Sequence, residues 1–238
     1  MKISILTLFP EMFSGPFDAS IIKKARERNL VDIRLINIRD FGIGKHHLVD
    51  DTPYGGGVGM VMRVDVLHKA IQKAKDPQIP EEKEKVILLT PDGTLYTQRV
   101  AESFAQFKHL ILVCGHYEGI DERIKAFVDY EISIGDFILT GGEIPAMAIT
   151  DSVVRLIPGV FKTGVTESES FSLRGEGGKI LLEYPLYTKP AEYLGMKVPD
   201  ILLGGDHAKI KEWRYEQALK KTRQKRPDLL QKGVNSAD

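Results

Sequence analysis

The sequence predicts an α/β fold with a mostly parallel sheet, followed by a small, mainly helical C-terminal domain. Three observations carry this. Apolar runs of strand length alternate with segments of helical spacing through the first two thirds of the chain. A stretch rich in Gly, Ser and Thr, "FKTGVTESESFSLRGEGGK", then breaks the alternation. Beyond it the chain is aromatic, punctuated by proline, and ends in a basic segment of helical character.

Ile3 to Phe9 is the first strand, an apolar run stopped by Pro10 and Glu11. Lys2 before that run would also suit a signal peptide, but no small-residue cleavage site follows. Phe17 to Asn29 carries Ala19, Ile22 and Ala25 at helical spacing with charges between them, and Val31 to Ile38 reads as the second strand. A helix over Asp65 to Lys75 precedes the strand "KVILLT", which should end at the turn signal Pro91-Asp92-Gly93. Ala101 to Phe107 reads as helix and "HLILVCG" as strand. Two further strands, "VDYEISIG" and "DFILTGG", precede a helix from Ile144 to Leu156. Strands separated by helices belong in a parallel sheet covered on both faces.

Among the 238 residues, Lys plus Arg equals Asp plus Glu at 33 each, so overall charge points to no partner. Any nucleic-acid surface must come from local clustering. Lys209, Lys211, Arg214, Lys220, Lys221, Arg223, Lys225 and Arg226 form such a cluster, opposed only by Glu212 and Glu216 and interleaved with Trp213 and Tyr215. Phosphate contact is one use of that charge, and a solvated helix face is the plainer one. Cys114 is the single cysteine, which excludes an internal disulfide and a cysteine-rich metal site and fits a cytoplasmic location. Histidines at 46, 47, 68, 109, 116 and 207 lack metalloenzyme spacing, so no structural metal is expected. No stretch approaches the roughly 20 apolar residues that span a bilayer, so no membrane partner is expected.

The Walker pattern and the full dinucleotide fingerprint are both absent. Gly55, Gly57 and Gly59 match a bare G-x-G-x-G, as in Rossmann-type methyltransferases. That reading requires the loop to leave a buried strand directly, whereas "VDDTPY" precedes it. Gly141-Gly142 follows a strand, but Glu143 sets a carboxylate at the helix start, where an anionic ligand would seek the positive helix end. A neutral or cationic ligand suits this corner better. Gly115, Gly119 and Gly135 make similar corners within about fifty residues. Each is explained singly by a tight turn, but together they leave bare backbone at several strand ends.

"DDTPYGGGVGM", "CGHYEGIDERI", "SIGDFILTGGEIPAM", "DSVVRLIPGV" and "LLGGDHAKIKEWR", in this order, resemble the bacterial tRNA (guanine-N1)-methyltransferases of the SPOUT class over nearly the whole chain. The resemblance implies a deep trefoil knot and a pocket for S-adenosylmethionine. It would be lined by Leu88, Leu89, Thr90 and Pro91, by Gly115, Tyr117, Glu118 and Gly119, and by Ser133, Ile134, Gly135, Leu139, Gly141 and Gly142. Apolar side chains would enclose adenine, bare backbone would read its edge, and Glu118 and Asp136 would tune the field around a sulfonium. The implied acceptor is N1 of the guanosine immediately 3′ of the anticodon in tRNA.

N1 carries a proton at neutral pH, so its methylation needs a base and a group to hold charge developing at O6. Arg155 matches the family's catalytic arginine, where spacing alone would read a helix-surface side chain. At the base position the family's aspartate is replaced by Glu169, with Glu167 competing. Another departure is His116, where some relatives carry arginine. Asp51 and Tyr54 are weaker acceptor-site candidates. Also implied are a homodimer with the active site at the subunit interface and magnesium dependence, although Glu118 or Glu169 alone makes no ion cage. The expected division is a methyltransferase domain over 1–160, a flexible linker over 161–179 and a tRNA-binding domain over 180–238. Two alternatives stand beside it: the Rossmann-type enzyme, and an RNA-binding protein impaired in catalysis.

Overall fold

The computed structural model describes residues 1–162 and 164–231. It divides into two compact units between Phe161 and Lys162. In the first, the strands are β1 (Lys2–Thr7), β2 (Asp32–Asn37), β3 (Asp50–Asp51), β4 (Val61–Met62), β5 (Glu84–Leu95), β6 (His109–Cys114) and β7 (Tyr130–Ser133). The helices are α1 (Ser20–Glu27), α2 (Val64–Ala74), α3 (Gln98–Phe104) and α4 (Glu143–Val154). Five strands form one sheet in the order β2-β1-β6-β5-β7, every pairing parallel, while β3 and β4 pair antiparallel outside it.

Alternate side chains of the central strands feed two cores. Ile87, Leu89, Leu110 and Leu112 pack with Ile22 of α1, Phe104 of α3 and Ile149 and Val153 of α4. Val86, Leu88, Ile111 and Val113 pack with Val66, Leu67, Ala70 and Ile71 of α2. Burial on both faces is why these strands read as unbroken apolar runs. Helix α1 is shorter than its apolar spacing suggests. It ends before Asn29, whose φ of 55° places it in the left-handed region that closes helices.

Two segments depart from the sequence expectation. The turn at Pro91-Asp92-Gly93 does not end β5: Leu89 and Thr94 both pair with Ile132, so the intervening residues bulge and the strand then rejoins β7. Gly93 makes the return possible, since a Cβ there would lie 2.5 Å from the Glu131 carbonyl carbon and from the Ile132 nitrogen. "DFILTGG", expected as a strand, has no ladder and forms a loop. Its apolar residues Phe137 and Ile138 are 53% and 80% exposed, so the run encodes a surface rim where periodicity suggested a core.

The second unit begins with a tight hairpin in which Phe171 N donates to the Leu181 carbonyl, Leu181 N to Leu173 and Gly175 N to Lys179. Phe171, Ile180, Leu182 and Leu229 make a small core. Much of the stretch expected as linker is thus folded against residues that follow it. Strands β8 (Glu192–Tyr193) and β9 (Met196–Lys197) pair antiparallel, and α5 (His207–Lys225) and α6 (Asp228–Gln231) close the unit. Asp206 caps α5 by accepting from Ala208 N and Lys209 N. Ala218 and Thr222, one turn apart, are its buried contacts, and Thr222 Oγ1 accepts from Leu182 N at 2.9 Å.

Candidate active site

All fourteen residues expected to hold the donor line one cavity of about 540 Å³ in the first unit. It lies at the carboxyl ends of β5, β6 and β7, where open α/β sheets place their ligands. The β5 bulge supplies one wall, the loop after β6 a second, and the loop after β7 a third.

The glycines do different work. Gly142 N donates to the Gly115 carbonyl at 2.9 Å, and a Cβ on Gly142 would lie 2.7 Å from Cys114 Cα, so two backbones cross here with no room for a side chain. At Gly141 a Cβ would strike the Glu143 carboxylate and come 2.8 Å from the His116 ring. Gly119 and Gly135, with φ of 150° and 152°, adopt conformations that side chains rarely take. Tyr117 holds a φ of 62° with a side chain present, a local strain of the kind that collects at working sites.

The Glu143 carboxylate at the start of α4 is 2% exposed and accepts from Thr7 Oγ1 at 2.7 Å. It is turned toward β1 and places an acidic residue in the first turn of α4, where an anionic ligand would be repelled. His116 sits between Phe9 and Tyr117, at centroid distances of 5.1 and 5.2 Å, and its Nδ1 is buried without a hydrogen-bond partner.

Sequence reasoning missed the acidic rim. Asp92, Asp121 and Glu122 line the same cavity, with Lys125 the only lysine or arginine in the lining among the described residues. Lys125 Nζ lies 2.8 Å from Glu122, 3.1 Å from Glu131 and 3.4 Å from Asp92, contacts that push its pKa up. The Thr90 hydroxyl holds the Asp92 carboxyl below its usual range, and Arg123 does the same for Asp121. Asp92 and Asp121 are thus held in their ionised form, each beside a cation of its own, Lys125 or Arg123.

The glycine-rich loop joins β3 to β4 and does not follow a strand of the main sheet, so the condition for a Rossmann-type site is unmet. It adjoins the cavity by another route. Glu118 N donates to the Met60 carbonyl at 3.1 Å and Met62 N to Gly119 at 2.9 Å, while the Glu118 side chain lies over Gly59 so closely that a Cβ there would be 2.8 Å from its Cδ. Asp51 is paired with Arg63 at 2.9 Å, and Tyr54 is fully exposed.

Arg155 lies outside the cavity lining, at the C-terminal end of α4, with its guanidinium 5.4 Å from the Phe161 ring centroid. Glu169 belongs to the second unit, where it is half-buried and its carbonyl accepts from Ser172 N and Leu173 N; Glu167 is exposed. Of the basic cluster, Lys209 pairs with Asp206, Arg226 with Asp228, and Lys221 donates to the Glu183 carbonyl. Lys211, Lys220, Arg223 and Lys225 form no ion pair among the described residues. No three His, Cys, Asp or Glu side chains converge to hold a metal among the described residues, and no described helix is long and apolar enough to cross a membrane.

The family model for tRNA (guanine-1)-methyltransferase TrmD matches residues 1–232. The chain belongs to this family. It is 54% identical to the tRNA (guanine-N(1)-)-methyltransferase of Dictyoglomus turgidum, over 98% of this chain and 91% of that protein. The enzymes of the same name from Listeria welshimeri and Desulforudis audaxviator are 52% and 53% identical, each over 97% of this chain and covering 92% and 90% of their own lengths.

Proposed function

We propose that the protein transfers a methyl group from S-adenosylmethionine to N1 of the guanosine 3′-adjacent to the anticodon in tRNA. The cavity at the carboxyl ends of β5, β6 and β7 carries this reading. Its volume suits a nucleoside-sized ligand, and its lining holds more carboxylates than ammonium groups, which suits a sulfonium. Leu88, Leu89, Ile134 and Leu139 enclose the adenine, while Gly115, Gly119, Gly135, Gly141 and Gly142 let backbone groups approach the ligand. When bound, the donor supplies an electrophilic methyl whose C–S bonding pair returns to sulfur.

The chain's own residues supply the rest. Glu169 accepts the N1 proton, and Arg155 donates to O6, where negative charge gathers as N1 becomes nucleophilic. Glu169 is half-buried whereas Glu167 is exposed, which favours the former as base. The basic face of α5 holds tRNA phosphates, and a loop nucleotide leaves its stack at less cost than a paired one. The backbone crossing at Gly142 belongs, on this reading, to a trefoil knot around the donor. A homodimer with its active site at the subunit interface accounts for the exposed Phe137, Ile138 and Ile144 beside the cavity.

The test is to incubate the protein with tRNA transcripts and S-adenosylmethionine and map the modified nucleotide. Methyl on N1 of that guanosine is expected. tRNA binding with no transfer would overturn the reading in favour of an RNA-binding protein without catalysis.

A further inference from the structure

The second unit has a cavity of its own, about 440 Å³, that the methyl-transfer chemistry does not use. Its walls include Tyr184, Tyr187, Trp213 and Arg214, all within the second unit. The Tyr187 and Trp213 rings stand 6.4 Å apart at 53°, and the Arg214 guanidinium lies 4.8 Å from the centroid of Tyr184. Tyr187 is 49% exposed, and Leu186 and Leu203 on the rim are 69% and 60% exposed. So much aromatic and apolar surface left open to water at a concave site marks a place where something binds.

Charge narrows the occupant. Lys189 and Arg214 line the cavity, no Asp or Glu does so among the described residues, and Trp213 sits on α5 between Lys211 and Lys220. Flat π faces beside a guanidinium and unpaired ammonium groups match a nucleotide, with a base to stack and a phosphate to neutralise. A duplex hides the faces of its bases, whereas a loop or bulge nucleotide presents them. We propose that this cavity takes one unstacked nucleobase of the bound RNA, distinct from the guanine that is methylated. The proposal rests on the tRNA reading above and adds a second point of attachment to it. A base held here would add a fixed point to the sequence-independent phosphate contacts of the basic helix, along which the RNA could otherwise slide.

Trp213 is the only tryptophan in the chain, so its fluorescence reports this cavity alone. The full-length protein is titrated with a single-stranded RNA hexanucleotide and, separately, with a duplex of equal length, while anisotropy of labelled tRNA reports binding independently. The expected result is saturable quenching of Trp213 by the single strand and none by the duplex. Tyr187→Ala should weaken tRNA binding by about 5- to 100-fold, and Tyr187→Phe, which keeps the stacking face, should restore it. Binding of tRNA by the wild type with unchanged Trp213 emission and no loss in Tyr187→Ala would overturn the proposal and leave the tRNA reading intact. Absence of tRNA binding by the wild type would overturn both. Emission that shifts with protein concentration and ignores RNA would assign the cavity to a second copy of the chain.

Discussion

At the amino ends of β1, β5 and β6, the side chains of Ser4, Glu84 and His109 form a closed polar cluster, while the carboxyl ends of β5, β6 and β7 open into a cavity lined by glycine corners. The same sheet makes both. In the closed cluster Ser4 Oγ bonds His109 Nε2 at 2.9 Å, Glu84 Oε2 lies 2.5 Å from His109 Nδ1, and Glu84 also accepts from Asp76 N at 2.9 Å. Ser4 and His109 are fully buried, so no substrate reaches what resembles a serine–histidine–acid arrangement. At the other end His116 keeps a buried nitrogen without a partner and Tyr117 carries backbone strain. Polar groups that satisfy one another hold a fold together, whereas strained backbone such as that of Tyr117 gathers at sites that do work.

The largest expected effect tests the closed end. Glu84→Ala strips the acceptor from both the buried His109 Nδ1 and Asp76 N and should cost about 3 kcal/mol, read from urea unfolding. Donor affinity of the folded fraction, measured by calorimetry, should not change. A loss of affinity as large as the loss of stability would mean that the two ends are one cooperative site.

Next is Gly142→Ala at the open end, where the added methyl meets Cys114 and Gly115 backbone. It should destabilise by about 1–3 kcal/mol and also abolish donor binding, since the cavity wall must move. Retained donor binding would show that the crossing at Gly142 does not shape the cavity.

The sheet was legible in the sequence because burial on both faces writes strands as apolar runs, as in "KVILLT" and "HLILVC". The cavity residues were legible only through family resemblance, since a glycine corner such as Gly115 has no side chain to advertise its use. Phe137 and Ile138 misled because an exposed rim and a buried strand share a composition. Asp92 and Asp121 were invisible as site residues because each looks like an ordinary turn acid until the fold brings β5 and β6 together. His109, one histidine among six, gave no hint of its buried partners, which lie 105 and 25 residues away in the chain.

Gly59→Ala gives a smaller effect that crosses between loop and cavity. Its φ of 90° disfavours any side chain by about 1 kcal/mol, and the methyl would push Glu118 from its place on the cavity wall. Donor affinity should fall about tenfold, equivalent to about 1.4 kcal/mol, alongside a stability loss of about 1 kcal/mol, whereas Glu84→Ala should change stability alone. Equal affinity in mutant and wild type would remove Glu118 placement from the role given to this loop.

The smallest effect is a pH dependence that belongs to the closed end alone. Burial holds the His109 imidazole below its ordinary value of 6.5, against the opposing pull of Glu84. The unfolded chain therefore takes up a proton near 6.5 that the folded chain refuses, so protonation favours unfolding. The stabilisation is complete above that pH and is lost as the pH falls through the folded value. Urea midpoints should decline on going from pH 7.5 toward 5.5, and His109→Gln should flatten the decline while lowering stability throughout. Stability that rises on acidification would mean that Glu84 outweighs burial and that the cluster holds an imidazolium. That result would make the closed end an ion pair, and its contrast with the carboxylate rim at the open end would then be one of access to water and not of charge.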